Sequence, residues 1–160
     1  DYAEAVRWYR LSAEQGTAMA QFNLGYMHSE GRGVPQDYAE AVRWYRLSAE
    51  QGTARAQLNL GNMYSEGRGV PQDYAEAVRW YRLSAEQGTA RAQFNLGYMH
   101  SEGRGVPQDY VQAHMWYNLS GAQGEELAVE ARNRVAARMT PSQIAEAQRL
   151  AREWKPTGQR

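Results

Sequence analysis

One segment recurs so closely that it decides what this chain can fold into. DYAEAVRWYRLSAEQGTA begins at Asp1, at Asp37 and at Asp73, a period of 36 residues, and a diverged copy, DYVQAHMWYNLSGAQG, begins at Asp109. A period between 20 and 50 residues marks a stacked-repeat architecture, in which each unit buries its apolar face only against its neighbours. Every aspartate in the chain stands at the head of one of these segments. Three residues later comes Glu4, Glu40, Glu76 or Gln112, a capping-box-like helix start.

Each such helix is expected to end at Gly16, Gly52, Gly88 or Gly124, where glycine suits a left-handed cap. Its apolar face is Tyr38, Ala41, Val42, Tyr45 and Ala49, and its charged face Glu40, Arg43, Arg46 and Glu50. A second helix runs from about Thr17 to Glu30, with Ala20, Leu24 and Met27 inward and Gly25 allowing a close approach. The loop Gly31 to Gln36, GRGVPQ, breaks the helix with glycine and proline. The chain therefore divides into a half repeat at 1–16, full repeats at 17–52, 53–88 and 89–124, and a degenerate helix at 125–139. A last helix at 141–155 starts from Thr140, Pro141 and Gln143, and its face of Ile144, Ala147, Ala151 and Trp154 makes it a C-terminal cap.

The pattern resembles the tetratricopeptide signature, reading Leu60-Gly61-x-x-Tyr64 and then Ala77-x-x-x-Tyr81. The 36-residue period, the G-x-G-V-P-Q-D connection and the A-x-x-W-Y-x-x-S-A-x-Q-G segment resemble more closely the Sel-one-like repeat family. The chain departs from that family at His28 and His100, usually tyrosine, and at Leu47 and its copies, usually polar. The resemblance implies an all-α fold, a right-handed α/α superhelical solenoid of 36-residue helix-turn-helix repeats. It also implies that the first helix of each pair lines a concave surface.

Composition excludes several functions. Eighteen basic residues balance eighteen acidic ones, so the charge signature of a dedicated nucleic-acid binder is missing. With no cysteine there is no disulfide framework and no thiolate nucleophile or ligand. No apolar run approaches the roughly 20 residues of a membrane helix, so no membrane insertion is expected. Lysine occurs once, at Lys155, against an otherwise all-arginine set, a composition bias read as bacterial. Bacterial cytoplasm, periplasm and export are all compatible with it.

Catalytic readings fail on chemistry. Gly31-Arg32-Gly33 lacks the third glycine and the preceding strand of a phosphate-binding fingerprint. His28 and His100 lie two repeats apart, roughly 20 Å at ordinary helix spacing, and share no metal ion. They and His114 read as packed histidines. Trp8, Trp44, Trp80 and Trp116 recur at repeat spacing and read as packing side chains. No nucleophile–base pair, cofactor site or metal site is expected, and the hydrolase-like activity that the resemblance admits ranks last.

The blocks differ where a ligand would sit. The first and third differ only at Met19 against Arg91; the second differs from the third at Leu58, Asn62 and Tyr64 against Phe94, Tyr98 and His100. Three of these four slots share one helical stripe. A concave partner-binding groove is expected to carry Met19, Phe22, Asn23 and Tyr26, then Arg55, Leu58, Asn59 and Asn62, then Arg91, Phe94, Asn95 and Tyr98. Asparagines in register suit a peptide backbone, and arginines a carboxylate. The competing reading is drift among duplicated repeats, with the asparagines bonding between helices. The leading function is a non-enzymatic adaptor binding a peptide or partner protein. The alternative is a structural solenoid self-associating through Tyr2, Val6 and Tyr9, a helix face expected to lack a partner unless the chain continues upstream.

Overall fold

The structure, a computed structural model, describes residues 1–157, which hold nine α-helices and no strand. In chain order they are α1 (Tyr2–Glu14), α2 (Ala18–Glu30), α3 (Tyr38–Glu50), α4 (Ala54–Glu66) and α5 (Tyr74–Glu86). They continue with α6 (Ala90–Glu102), α7 (Tyr110–Ala122), α8 (Glu126–Ala136) and α9 (Pro141–Glu153). The helices form repeated pairs, the all-α solenoid expected from the period. Two compact units divide the chain, Asp1–Trp80 and Tyr81–Arg160.

The helix starts follow from the aspartates. Asp37, Asp73 and Asp109 each accept a hydrogen bond from the backbone N–H three residues on, at 3.0–3.1 Å. Such a cap stabilises a helix by about 1 kcal/mol. Asp1 instead accepts from Ala3, one residue earlier than the box geometry requires. The reciprocal side-chain bond of a full capping box is recorded at Thr140 and Gln143. The helices beginning at Tyr2 and Tyr38 close on Gln15 and Gln51, so Gly16 and Gly52 stand one residue beyond the cap with positive φ.

Within a pair, a missing side chain sets the helix separation. A Cβ on Gly25 would lie 2.8 Å from the Tyr45 ring, and one on Gly97 the same distance from Tyr117. In the first unit Trp44 enters the cluster of Val6, Ala13, Ala20, Leu24 and Met27, and Trp80 joins the next cluster with Tyr45 and Leu60. A polar clasp then ties α3 to the start of α2. Ser48 donates to the Ala18 carbonyl at 2.7 Å, and Gln51 donates to the Gly16 carbonyl and to the Gln21 side chain. The second unit repeats the clasp with Ser120 on Ala90 and Gln123 on Gly88 and Gln93.

The α1 face differs from expectation. Val6 is 6% exposed and sits in the first cluster, with Tyr9 packed beside it, because α2 covers that side of α1. Only Tyr2 of the three residues expected to lack partners is open, and the Arg32 guanidinium lies 5.7 Å from its ring centre. The apolar residues that α1 turns to solvent are Trp8, 62% exposed, and Leu11. Trp44, Trp80 and Trp116 are buried, so Trp8 departs from its copies. In the second unit α9 packs on α7, burying Ala147 and Ala151, and Trp154 meets Trp116 edge-to-face at 6.2 Å. The helix stops at Glu153, and Thr157 donates its backbone N–H to the Glu86 carbonyl at 2.7 Å.

Candidate binding surface

The expected stripe is placed by α2 and α4 in the first unit and by α6 in the second. Met19 and Tyr26 are exposed and Asn23 is half-buried. Phe22 is not part of the open stripe: it is 4% exposed. Its ring tilts against Tyr45 at 5.9 Å, and the Arg55 guanidinium covers it at 4.8 Å. Periodicity placed Phe22 beside the core face; the neighbouring arginine and tyrosine enclose it there.

Arg55 is exposed, and Leu58, Asn59 and Asn62 are half-buried. Asn59 is hydrogen-bonded to the Tyr45 hydroxyl, which Ser29 also meets at 3.2 Å. That bond serves the helix pairing, whatever else the asparagine does. In the second unit Arg91 and Tyr98 are exposed, and Asn95 is half-buried. Phe94 is half-buried too, 5.7 Å from Tyr117.

Beside this stripe each unit has a pocket that the sequence reading did not single out. In the first, about 220 Å³ is enclosed by Tyr26, Ser29, Glu30, Tyr38 and Tyr45 on one side and Asn59, Asn62, Glu66 and Arg68 on the other. In the second, about 390 Å³ is enclosed by Tyr98, Ser101, Glu102, Tyr110 and Tyr117, facing Ala131, Arg134 and Arg138. Burial pushes the Tyr45 and Tyr117 hydroxyls up from the usual tyrosine range, so both stay protonated at neutral pH. The 36-residue register was the signal for the second pocket: Arg134 falls 36 residues after Tyr98, and Arg138 after Glu102.

The histidines are buried. The ring nitrogens of His28 and His100 have no hydrogen-bond partner, and burial pulls all three histidines below the usual range. Tyr64, which fills the matching slot in the middle block, accepts a hydrogen bond from Arg46 at 2.6 Å. Among the described residues no group of three His, Asp or Glu side chains is placed to hold a metal ion. None of the described helices is long and apolar enough to cross a membrane.

The family model described as Sel1 repeat matches residues 1–17, 18–53, 54–89 and 90–125. Among solved structures, a Sel1 repeat protein from Oxalobacter formigenes is similar at 33% identity and a TM-score of 0.79, over 94% of this chain and 62% of that one. A protective antigen of uropathogenic Escherichia coli strains, displaying an SLR fold, is similar at 32% identity and a TM-score of 0.62. There the match covers 93% of this chain and 40% of the other. The chain thus spans less than two thirds of the length of either.

Proposed function

Because the chain belongs to the Sel1 repeat family, whose members are generally protein-interaction scaffolds, we propose that it is a non-enzymatic scaffold binding an extended segment of a partner protein. The segment lies along the first helix of each pair, on the surface taken as the concave groove. It contacts Met19, Asn23 and Tyr26, then Arg55, Leu58, Asn59 and Asn62, then Arg91, Phe94, Asn95 and Tyr98. One observation carries this reading. Large side chains stay exposed at Met19, Tyr26 and Tyr98, in slots that vary between otherwise near-identical blocks. Aromatic and arginine anchors are what binding surfaces favour.

The test is a selection of random peptides on the immobilised protein, with Met19→Ser, Tyr26→Ala and Arg91→Ala combined in the counter-target. These three are exposed, whereas Asn59 and Arg55 also have packing partners. A motif enriched on the parent and lost on the variant supports the groove. No enrichment, or equal enrichment on both, sinks it.

A second reading, self-association, is favoured by the exposure of Trp8 where its copies are buried. The surface is then Trp8 and Leu11, with Tyr2 at the edge, and not Val6. Sedimentation equilibrium of the parent and of Trp8→Arg decides it: a monomer at every concentration removes this reading.

A further inference from the structure

The two pockets share one wall and differ in the other. Tyr98, Ser101, Glu102, Tyr110 and Tyr117 stand two repeats, 72 residues, after Tyr26, Ser29, Glu30, Tyr38 and Tyr45. Opposite them, α4 supplies Asn59, Asn62 and Glu66 in the first unit, and α8 with the turn after it supplies Ala131, Arg134 and Arg138 in the second. Two amides and a carboxylate have become a methyl group and two guanidiniums. The first rim carries two carboxylates against one guanidinium, and that guanidinium, on Arg68, is held by Glu66 at 2.9 Å. The second rim carries one carboxylate, Glu102, against two guanidiniums.

Arg134 lies in the last turn of α8 and Arg138 in the turn just past its Ala137 cap, so two guanidiniums meet at the C-terminal end of one helix. Among the described residues neither lies within ion-pair distance of a carboxylate. Arg138 is steadied by donating to the Tyr110 hydroxyl at 3.3 Å. That leaves most of its N–H fork and the hydroxyl's own hydrogen for an acceptor. Tyr110 is also released from a bond its counterpart makes, since Tyr38 accepts from Gln36 at 3.2 Å. Loss of the Asn59 side chain accompanies the larger volume, and three tyrosine rings remain to line it.

We infer that the pocket between α6, α7 and α8 binds the side-chain carboxylate of a glutamate in a partner polypeptide. Arg134 and Arg138 grip the carboxylate through charge-assisted bonds, and Tyr110 donates a third. The methylene arm between acid and backbone lies on the tyrosine rings, a layer that a chain-terminal carboxylate, having no arm, would leave empty. Glu102 on the same rim repels a second acid, so one glutamate is read. This names the residue class recognised at one end of the proposed binding surface and rests on that reading for its partner.

The experiment is an NMR titration of the 15N-labelled full chain with blocked tripeptides. Acetyl-Gly-Glu-Gly-amide should shift amides around 98–102, 110 and 134–138 saturably. It should bind at least tenfold more tightly than acetyl-Gly-Gln-Gly-amide, and weaken as salt is added. Arg134→Gln with Arg138→Gln, two exposed positions, should abolish the shifts while leaving the remaining spectrum in place. Equal binding of the Glu and Gln peptides, shifts that map elsewhere, or binding that survives the double substitution would overturn the proposal. Tighter binding of acetyl-Gly-Gly-Gly, whose only carboxylate is terminal, would overturn the side-chain assignment. The peptide selection judges the wider surface separately. An enriched motif without glutamate-dependent tripeptide binding sinks the pocket alone, and the reverse result sinks the surface alone.

Discussion

The pockets beside Tyr45 and Tyr117 are built from the same five residues on one wall, yet one carries a net negative rim and the other a net positive one. The difference lies in the helix that closes each pocket and the turn that follows it. A repeat scaffold holds its own pair rigid and lets the next helix set the chemistry. Geometry and selectivity are thereby written in different parts of the sequence.

The shared half breaks first if that division is right. Gly25→Ala and Gly97→Ala each press a methyl group onto a tyrosine ring at 2.8 Å, so each should cost about 2 kcal/mol by overpacking. Similar losses of thermal stability are expected from both, since the shared wall is the same. A neutral result at either would mean that the helices can separate.

The unshared half should transplant. Asn59→Ala, Asn62→Arg and Glu66→Arg together give the first pocket the three residues that face the shared wall in the second, with Arg68 retained beside them. The triple variant should gain glutamate-tripeptide binding at least tenfold over the parent first pocket, seen as new shifts near residues 26–30. Failure to gain it would show that the rim alone does not select.

The tyrosine hydroxyls offer a finer contrast. Tyr45 is bonded by Ser29 and Asn59, whereas Tyr117 meets Ser101, with Ala131 in place of the second amide. Chemical denaturation should therefore find Tyr45→Phe costlier than Tyr117→Phe by about 1 kcal/mol, the worth of one buried hydrogen bond. Equal losses would remove Asn59 from the structural account.

The smallest effect is acid sensitivity. Burial is the first cause that lowers His28, His100 and His114, opposed at His28 by Glu40 and Asp37 and reinforced at His100 by Arg82. Between each lowered folded value and the unfolded value of about 6.5, the unfolded chain holds more protons. Stability is thus full above pH 6.5 and lost as pH falls through and below it. His100→Tyr should blunt that loss and, by recreating the Arg46–Tyr64 bond with Arg82, add about 1 kcal/mol at neutral pH. Melting curves at pH 7.5 and 5.5 check it; an unchanged acid loss in the variant refutes the histidine account.

Much of this was readable beforehand. The aspartate starts, the close approach at Gly25 and the buried tryptophans after Trp8 all follow from periodicity and residue size. Phe22 falls on the open stripe in a single-helix projection, which does not contain the Arg55 side chain that α4 brings over the ring. Val6 and Tyr9 look bare when α1 is read as half of a pair, yet α2 packs on it as well. Arg134 and Arg138 are hard to read from sequence because α8 carries Arg132 and Asn133 where α4 has Leu60 and Gly61, so the repeat signature is gone there. Only its register against Tyr98 and Glu102 survives, and register becomes meaningful once the opposing wall is known.

The clasp of Ser48 and Gln51 has a genetic consequence. What it grips is two backbone carbonyls and a glutamine that the three full copies carry as Gln21, Gln57 and Gln93. A seam of that kind does not distinguish one copy from another. Unequal crossing-over between near-identical 36-residue segments inserts or deletes a whole unit and leaves a well-formed joint behind it. Copy number is then free to change without refitting the core, while substitutions on the exposed stripe accumulate independently of it.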